Sequence, residues 1–181
     1  MRRSDLEHLI RAAGAISGSR RIVVIGSQAI LGQYPEGAPA RAAVSMEADL
    51  LPIDAPEMSD MLAGAIGELS SFHDTFGYFA DGVSIDTAVL PDGWYDRLIA
   101  IDNPNTNGTI GLCLEVHDLL ISKYVAGRDK DREFCVAVVE SGLTDQDILR
   151  ARLVSTPLDM GNRTRIERWI TADYAAGHSR A

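Results

Sequence analysis

Read for spacing alone, the chain moves between a helical period and a strand period. Leu6, Leu9, Ile10 and Ala13 recur at helical spacing behind Ser4-Asp5-Leu6-Glu7, which has the form of a capping box. A first helix is therefore expected from about 5 to 17, closed by Gly18-Ser19. Arg21 to Ile25 is a short β-branched run, the mark of a buried strand, and Gly26-Ser27 then turns the chain into a short helix from Gln28 to Leu31. Gln33 to Ala43, rich in Pro, Gly and Ala, reads as a loop. Ser45 to Ile53 reads as a second strand, with Pro52 marking an edge or a bulge near its end. Pro56 opens a third helix reaching about Leu69.

Ser70 to Tyr78 shows no clear period, whereas Val83 to Leu90 alternates as a strand should. Arg97 to Ile101 and Thr109 to Val116 complete the expected sheet, joined through the turn-rich stretch Asp102 to Gly108. From Asp118 onwards the pattern is helical, over about 117–126, 130–141, 145–153 (Thr144 capping) and 161–176. The expected fold class is α/β (α+β). A small mixed sheet flanked by helices occupies residues 1–116, and a helical C-terminal part, 117–181, packs on it.

Composition narrows the function classes. With 181 residues and 46% hydrophobic content, the chain holds enough apolar material for a core, which excludes a disordered polypeptide. No apolar run approaches the roughly 18 residues of a membrane span, so no membrane partner is expected. The N-terminus meets acidic residues at once, where a secretory leader would have an apolar core, and the chain is read as cytoplasmic. Cys113 and Cys135 have neither a CxxC partner nor a histidine at ligand spacing, and are expected as reduced core residues. The formal net charge of −9 argues against a general nucleic-acid coat while leaving room for a local basic site.

Three features carry candidate chemistry. In Ser45-Met46-Glu47-Ala48-Asp49-Leu50, a strand places Glu47 and Asp49 on one face about 6–7 Å apart, where like charges need a bound cation or a raised pKa unless they face water. Asp86 stands in an otherwise apolar strand pattern and converges with them if that strand is a neighbour; the alternative is three solvated acids on a half-exposed sheet. The Gly26-Ser27 junction offers close backbone approach and free N–H groups to a phosphate, or is a plain tight turn, and neither GxGxxG nor a P-loop is present. Lys123, three and four residues after Leu120 and Leu119, either snorkels to the surface or points into a site. The adjoining Gly127-Arg128-Asp129-Lys130-Asp131 reads by default as a solvated turn between helices.

Taken in order, Gly26-Ser27, Glu47-Ala48-Asp49 and Asp86 resemble the hG[GS]…DxD…D signature of the polymerase β-like nucleotidyltransferases, with Glu47 where that superfamily usually has Asp. Asp118-Leu119-Leu120-Ile121-Ser122-Lys123 and the following Arg128-Asp129-Lys130-Asp131 are similar to the DLxxxK…RxKD segment of AbiEii and MenT nucleotidyltransferase toxins. The resemblance spans residues 20–135 and implies Gly26 and Ser27 on phosphate, and Glu47, Asp49 and Asp86 as catalytic ligands of Mg²⁺. It further implies Lys123 on the triphosphate with Lys130 beside it, and Asp131 orienting a side chain or assisting the acceptor. The implied activity is Mg²⁺-dependent transfer of NMP from an NTP to an acceptor, for the toxins the 3′ end of tRNA, with a cognate antitoxin protein as partner. Two other readings stand beside it. One is a nucleotidyltransferase fold that has lost catalysis and only binds a nucleotide, which Glu47 makes plausible, and the other is a module whose acidic face docks a basic protein.

Overall fold

The structure is a computed structural model that describes residues 1–42 and 45–178; Ala43, within the expected loop, and 179–181, within the expected C-terminal part, lie outside the described residues. Five strands, β1 (Arg21–Val24), β2 (Glu47–Pro52), β3 (Phe79–Gly82), β4 (Ile99–Ile101) and β5 (Ile110–Cys113), form one sheet in the order β3-β2-β1-β5-β4. The β1–β2 and β4–β5 pairs are antiparallel, and β1–β5 and β2–β3 are parallel, so the sheet is mixed, as the sequence pattern implies.

Helix α1 (Arg3–Ser17) lies on the sheet through Leu6, Leu9, Ile10 and Ala13, all without solvent exposure. It starts before the expected capping box: the Arg2 N–H donates to Asp5 Oδ2 at 2.8 Å, while Glu7 accepts from Asn103 and Asn105, tying the helix to the β4–β5 connection. After β1, a single 3₁₀ turn (Ser27–Ala29) leads into α2 (Ile30–Gln33). Between β2 and β3 stand α3 (Ser59–Ile66) and α4 (Ser71–Phe76), the latter in the stretch whose period was indistinct. Four helices end the chain: α5 (Val116–Ala126), α6 (Asp129–Glu140), α7 (Gln146–Val154) and α8 (Met160–His178). Asp145, not Thr144, caps α7, accepting from the N–H groups of Asp147 and Ile148. One continuous core runs from α1 and the sheet into α5–α8.

One element departs from expectation in a way that matters for the site. The strand expected over Val83–Leu90 forms instead at Phe79–Gly82. Phe79 and Ala80 are buried there, and the pairing with β2 ends at Gly82, the Val83 N–H making one last bond to Leu50 O at 2.9 Å. β2 itself stops two residues later at Pro52, which has no N–H with which to extend a ladder. Ser84 to Thr87 therefore leave the sheet, exposed, with Ile85–Thr87 in a 3₁₀ turn. Both cysteines are free and buried, and burial pushes the Cys113 thiol up to about 12. No described helix is long and apolar enough to cross a membrane.

Candidate active site

Alternation along β2 decides where its acids go. Ala48 and Leu50 are buried under α1, so Glu47 and Asp49 project together from the opposite face, half-buried, into a cavity of about 830 Å³. Gly26 is what seats Asp49. Its backbone dihedrals suit any residue, but a Cβ at this position would overlap the Asp49 carboxylate. The turn that follows places Ser27 in the same cavity wall.

The two carboxyls are electrostatically unhappy. Burial, then the charges of Asp49 and Asp81, hold Glu47 above the usual carboxylate range. Burial raises Asp49 as well; Lys123 pulls against the rise and Asp81 adds to it. Carboxylates that pay for their charge in this way are a donor set for a hard cation.

Asp86 does not share this wall. It sits exposed in the 3₁₀ turn beyond β3, off the sheet altogether, so the shared strand face expected for it is absent. The acid in register is Asp81 of β3, whose Cα pairs with that of Asp49, and its charge is felt by both Glu47 and Asp49. Among the described residues, no group of three or more His, Cys, Asp and Glu side chains is gathered closely enough to hold a metal ion unaided. Two carboxylates nevertheless fit Mg²⁺, which commonly takes one or two from the protein and completes its shell with substrate phosphates and water.

A basic wall faces the acids. Gly127, with φ +64°, ends α5 in the left-handed region, and α6 starts two residues later, so the last turn of one helix meets the first turn of the next. Lys123 and Asp131 thereby come together, the Lys123 Nζ lying 3.4 Å from Asp131 Oδ1 and 5.8 Å from the centre of the Phe134 ring. Lys123 is only 11% exposed and reaches into the cleft; it does not snorkel. Arg128 grips the same carboxylate through Nε at 2.6 Å and Nη2 at 3.2 Å. Burial pushes Asp131 up, but the Arg128 hydrogen bonds and the Lys123 charge outweigh it and hold the carboxyl below the usual range. The stretch that read as a solvated turn is thus a clamp. Lys130 lines the cavity beside it, and Lys123 and Lys130 are the only lysines in the chain.

Arg132, also in the cavity wall, is held from behind: it lies over the rings of Tyr124 and Trp169 and donates to Asp173 at 2.8 Å, which also accepts from Tyr124 Oη. Asp118, the first residue of the DLxxxK segment, has a different task. It is fully buried, takes both Nε and Nη2 of Arg97 and lies 3.1 Å from Arg152 Nε, bracing α5 against the β4 approach and α7. A smaller lobe of about 330 Å³ opens on the other side of Asp49, Lys123 and Arg128, which line both spaces. Its own lining, Ile25, Thr87 to Val89, Ser122 and Val125 among it, is uncharged.

The structure therefore gathers Gly26, Ser27, Glu47, Asp49, Lys123, Lys130 and Asp131 around one cleft and leaves Asp86 outside the acidic wall. It adds Arg41 and Arg132 to the lining, gives Arg128 of the RxKD segment the task of gripping Asp131, and brings in Asp81, which the sequence did not single out, through its charge on Glu47 and Asp49. For Asp81 the available signal was the Gly77 stop followed by buried Phe79 and Ala80; for Arg128 it was the i, i+3 spacing to Asp131. Residues 4–175 match the model of a family described as "Nucleotidyltransferase of unknown function (DUF6036)". No curated protein and no solved structure matches the chain.

Proposed function

Because the chain belongs to this nucleotidyltransferase family, we propose that it transfers a nucleoside monophosphate from an NTP to an acceptor hydroxyl with Mg²⁺ bound. In such a transfer the acceptor oxygen bonds to the α-phosphorus, the α–β anhydride bond breaks, pyrophosphate leaves, and the hydroxyl proton passes to solvent. The observation that carries this reading is the pairing of an acidic wall, Glu47 and Asp49, whose charge is only partly offset, with a basic wall, Lys123, Arg128 and Lys130, across one cleft. Phosphoryl transfer asks mainly for charge placed around aligned oxygens, and this cleft offers both signs.

Glu47 and Asp49 would hold Mg²⁺, which would supply positive charge where the phosphate oxygens gather negative charge. Asp81 contributes through its field in place of Asp86. Gly26 leaves room for Asp49, and Ser27 faces the phosphates. Lys123 and Lys130 take the triphosphate, with Asp131 holding Lys123 and Arg128 in position. The smaller lobe, uncharged apart from the Asp49, Lys123 and Arg128 it shares with the larger cavity, receives the acceptor end. The resemblance to AbiEii and MenT toxins carries the reading one step further, to the 3′ end of tRNA as acceptor, growth arrest as outcome and a cognate antitoxin as partner.

The test is to incubate the protein with each labelled NTP, Mg²⁺ and total RNA, following pyrophosphate release and the destination of label. Label in tRNA that requires Mg²⁺ and Asp49 supports the whole reading; label elsewhere keeps the transfer and moves the acceptor. A second reading, an inactive nucleotide-binding or protein-docking fold, is favoured by Glu47 and by the lack of a three-ligand cluster among the described residues. Mg²⁺-dependent NTP binding without pyrophosphate release would establish the nucleotide-binding form of it.

A further inference from the structure

Charge is distributed very unevenly along this chain. Between Ala42 and Asp96 stand eleven Asp and Glu and not one Lys or Arg. The same segment carries seven of the ten large hydrophobic side chains exposed among the described residues. Three of them, Met61 on α3, Leu69 between α3 and α4, and Phe76 on α4, are 54%, 84% and 47% exposed.

Helix α3 carries apolar positions outward as well as inward. Leu62 and Ile66 face the core; outward, Asp60 opens the helix, and the positions after it, Met61, Gly64 and Ala65, are uncharged, with open space where a Cβ on Gly64 would stand. An exposed apolar stripe rimmed by polar residues marks an interaction surface. Around this stripe stand the exposed acids Glu57, Asp60, Glu68 and Asp74.

Leu69 supplies an independent observation. Its φ of +63° lies in the left-handed region, where a branched side chain is unfavourable, and its N–H donates to His73 Nδ1 at 3.2 Å. The chain thus accepts backbone strain at a leucine whose side chain touches mostly water. α3 lies over β3, the strand of Asp81: Ser59 Oγ donates to Val83 O at 3.1 Å, and a side chain on Gly82 would strike the Ser59 carbonyl.

We propose that the α3–α4 face docks an amphipathic helix of a partner protein, its apolar residues seated along Met61, Leu69 and Phe76 and its Lys and Arg residues set against the acidic rim. Charge complementarity selects this occupant, since the rim acids Glu57, Asp60, Glu68 and Asp74 attract Lys and Arg and repel the phosphates of RNA and anionic lipid. The arginines nearest the face, Arg2 at the start of α1 and Arg11 within it, stand at its α4 end, beside His8 and Tyr78. Small residues at Gly64 and Ala65 let a second helix approach closely. No residue of this face lines the cleft, although the charge of Glu68 is felt at Glu47, so this inference stands without the transfer reading.

The test uses a labelled amphipathic helical peptide of about 18 Leu and Lys residues, beside a scrambled peptide of identical composition, in fluorescence anisotropy and hydrogen exchange. The ordered peptide should bind at least tenfold more tightly than the scrambled one and protect residues 59–76 from exchange. The double variant Leu69→Ser, Phe76→Ser should weaken it at least tenfold, as should Asp60→Lys with Asp74→Lys, while Mg²⁺-dependent NTP binding stays unchanged in both. Equal binding of the two peptides, protection confined to the Glu47–Asp49 wall, or undiminished affinity in the double variants would overturn the proposal. So would binding of RNA or anionic vesicles to this face, or a concentration-dependent dimer abolished by Leu69→Ser, Phe76→Ser.

Discussion

Asp49 and Asp131 face each other across one cleft, are both withdrawn from water, and are held in opposite electrostatic states. Asp131 has two cations built around it and ionises more readily than a free aspartate. Asp49 has burial and Asp81 against it, which outweigh the pull of Lys123 at a distance, and with no cation gripping its carboxylate directly it ionises less readily. Burial by itself therefore does not set the state of a carboxylate; what the chain places within reach of it does. The teaching is functional: Asp131 is satisfied by the protein and serves as a fixed anchor, whereas Asp49 is left for something the protein does not contain.

Four experiments break or sharpen this contrast. The largest effect is expected from Asp49→Ala, which removes a ligand of the proposed cation and should lower transfer by roughly 10²–10³-fold, with circular dichroism unchanged. Wild-type rates in that variant would end the catalytic assignment of the acidic wall. Next comes Lys123→Ala, where one charge-assisted contact to phosphate is lost, about 1.5–3 kcal/mol or roughly ten- to a hundredfold in NTP affinity or single-turnover rate. Lys123→Arg should restore only part, because a planar fork does not replace a compact ammonium.

Third, Asp131→Asn leaves two cations without their shared anion and should cost about 2 kcal/mol, a fall of roughly 4–8 °C in Tm for a chain of this size. Its folded-state pKa lies below the unfolded value, so its stabilisation is present above the ordinary carboxylate range and is lost as pH falls through the depressed pKa. The gap between wild type and variant, measured by thermal melts from neutral pH downwards, should close on acidification.

The smallest effect carries the opposite sign. Asp49→Asn removes a charge that burial penalises and should raise Tm by roughly 2–4 °C, about 1 kcal/mol. Because the folded-state pKa of Asp49 is raised, the wild-type penalty is absent below the unfolded carboxylate pKa and grows as pH rises through the folded value. The variant's advantage should therefore vanish in acid, again in thermal melts. Mg²⁺ should raise the wild-type Tm and leave Asp49→Asn unmoved; a Mg²⁺ gain of equal size in both would place the cation elsewhere.

Much of the cleft was legible because its parts are local. A β-branched run before Gly26-Ser27, two acids at strand spacing, and a lysine three and four residues after buried leucines each announce themselves within a few positions. Asp86 misled because Val83-Ser84-Ile85-Asp86 alternates well, whereas strand formation depended on whether β2 still had pairing groups to offer beyond Gly82. Register between strands some thirty residues apart is not a property of either sequence alone. The Arg97–Asp118–Arg152 brace and the stacking of Arg132 on Tyr124 and Trp169 were hidden for the same reason, since each joins residues that only the folded chain brings together.

Fifteen arginines and two lysines carry the chain's positive charge, and both lysines line the cleft. No lysine of this sequence thus stands outside that cleft. Any lysine-directed modification, whether a chemist's acylating reagent or a cell's acetylating or tagging enzyme, has to reach Lys123 or Lys130 and so competes with whatever anion the cleft holds. Occupancy of the cleft and susceptibility to acylation are two readings of one variable.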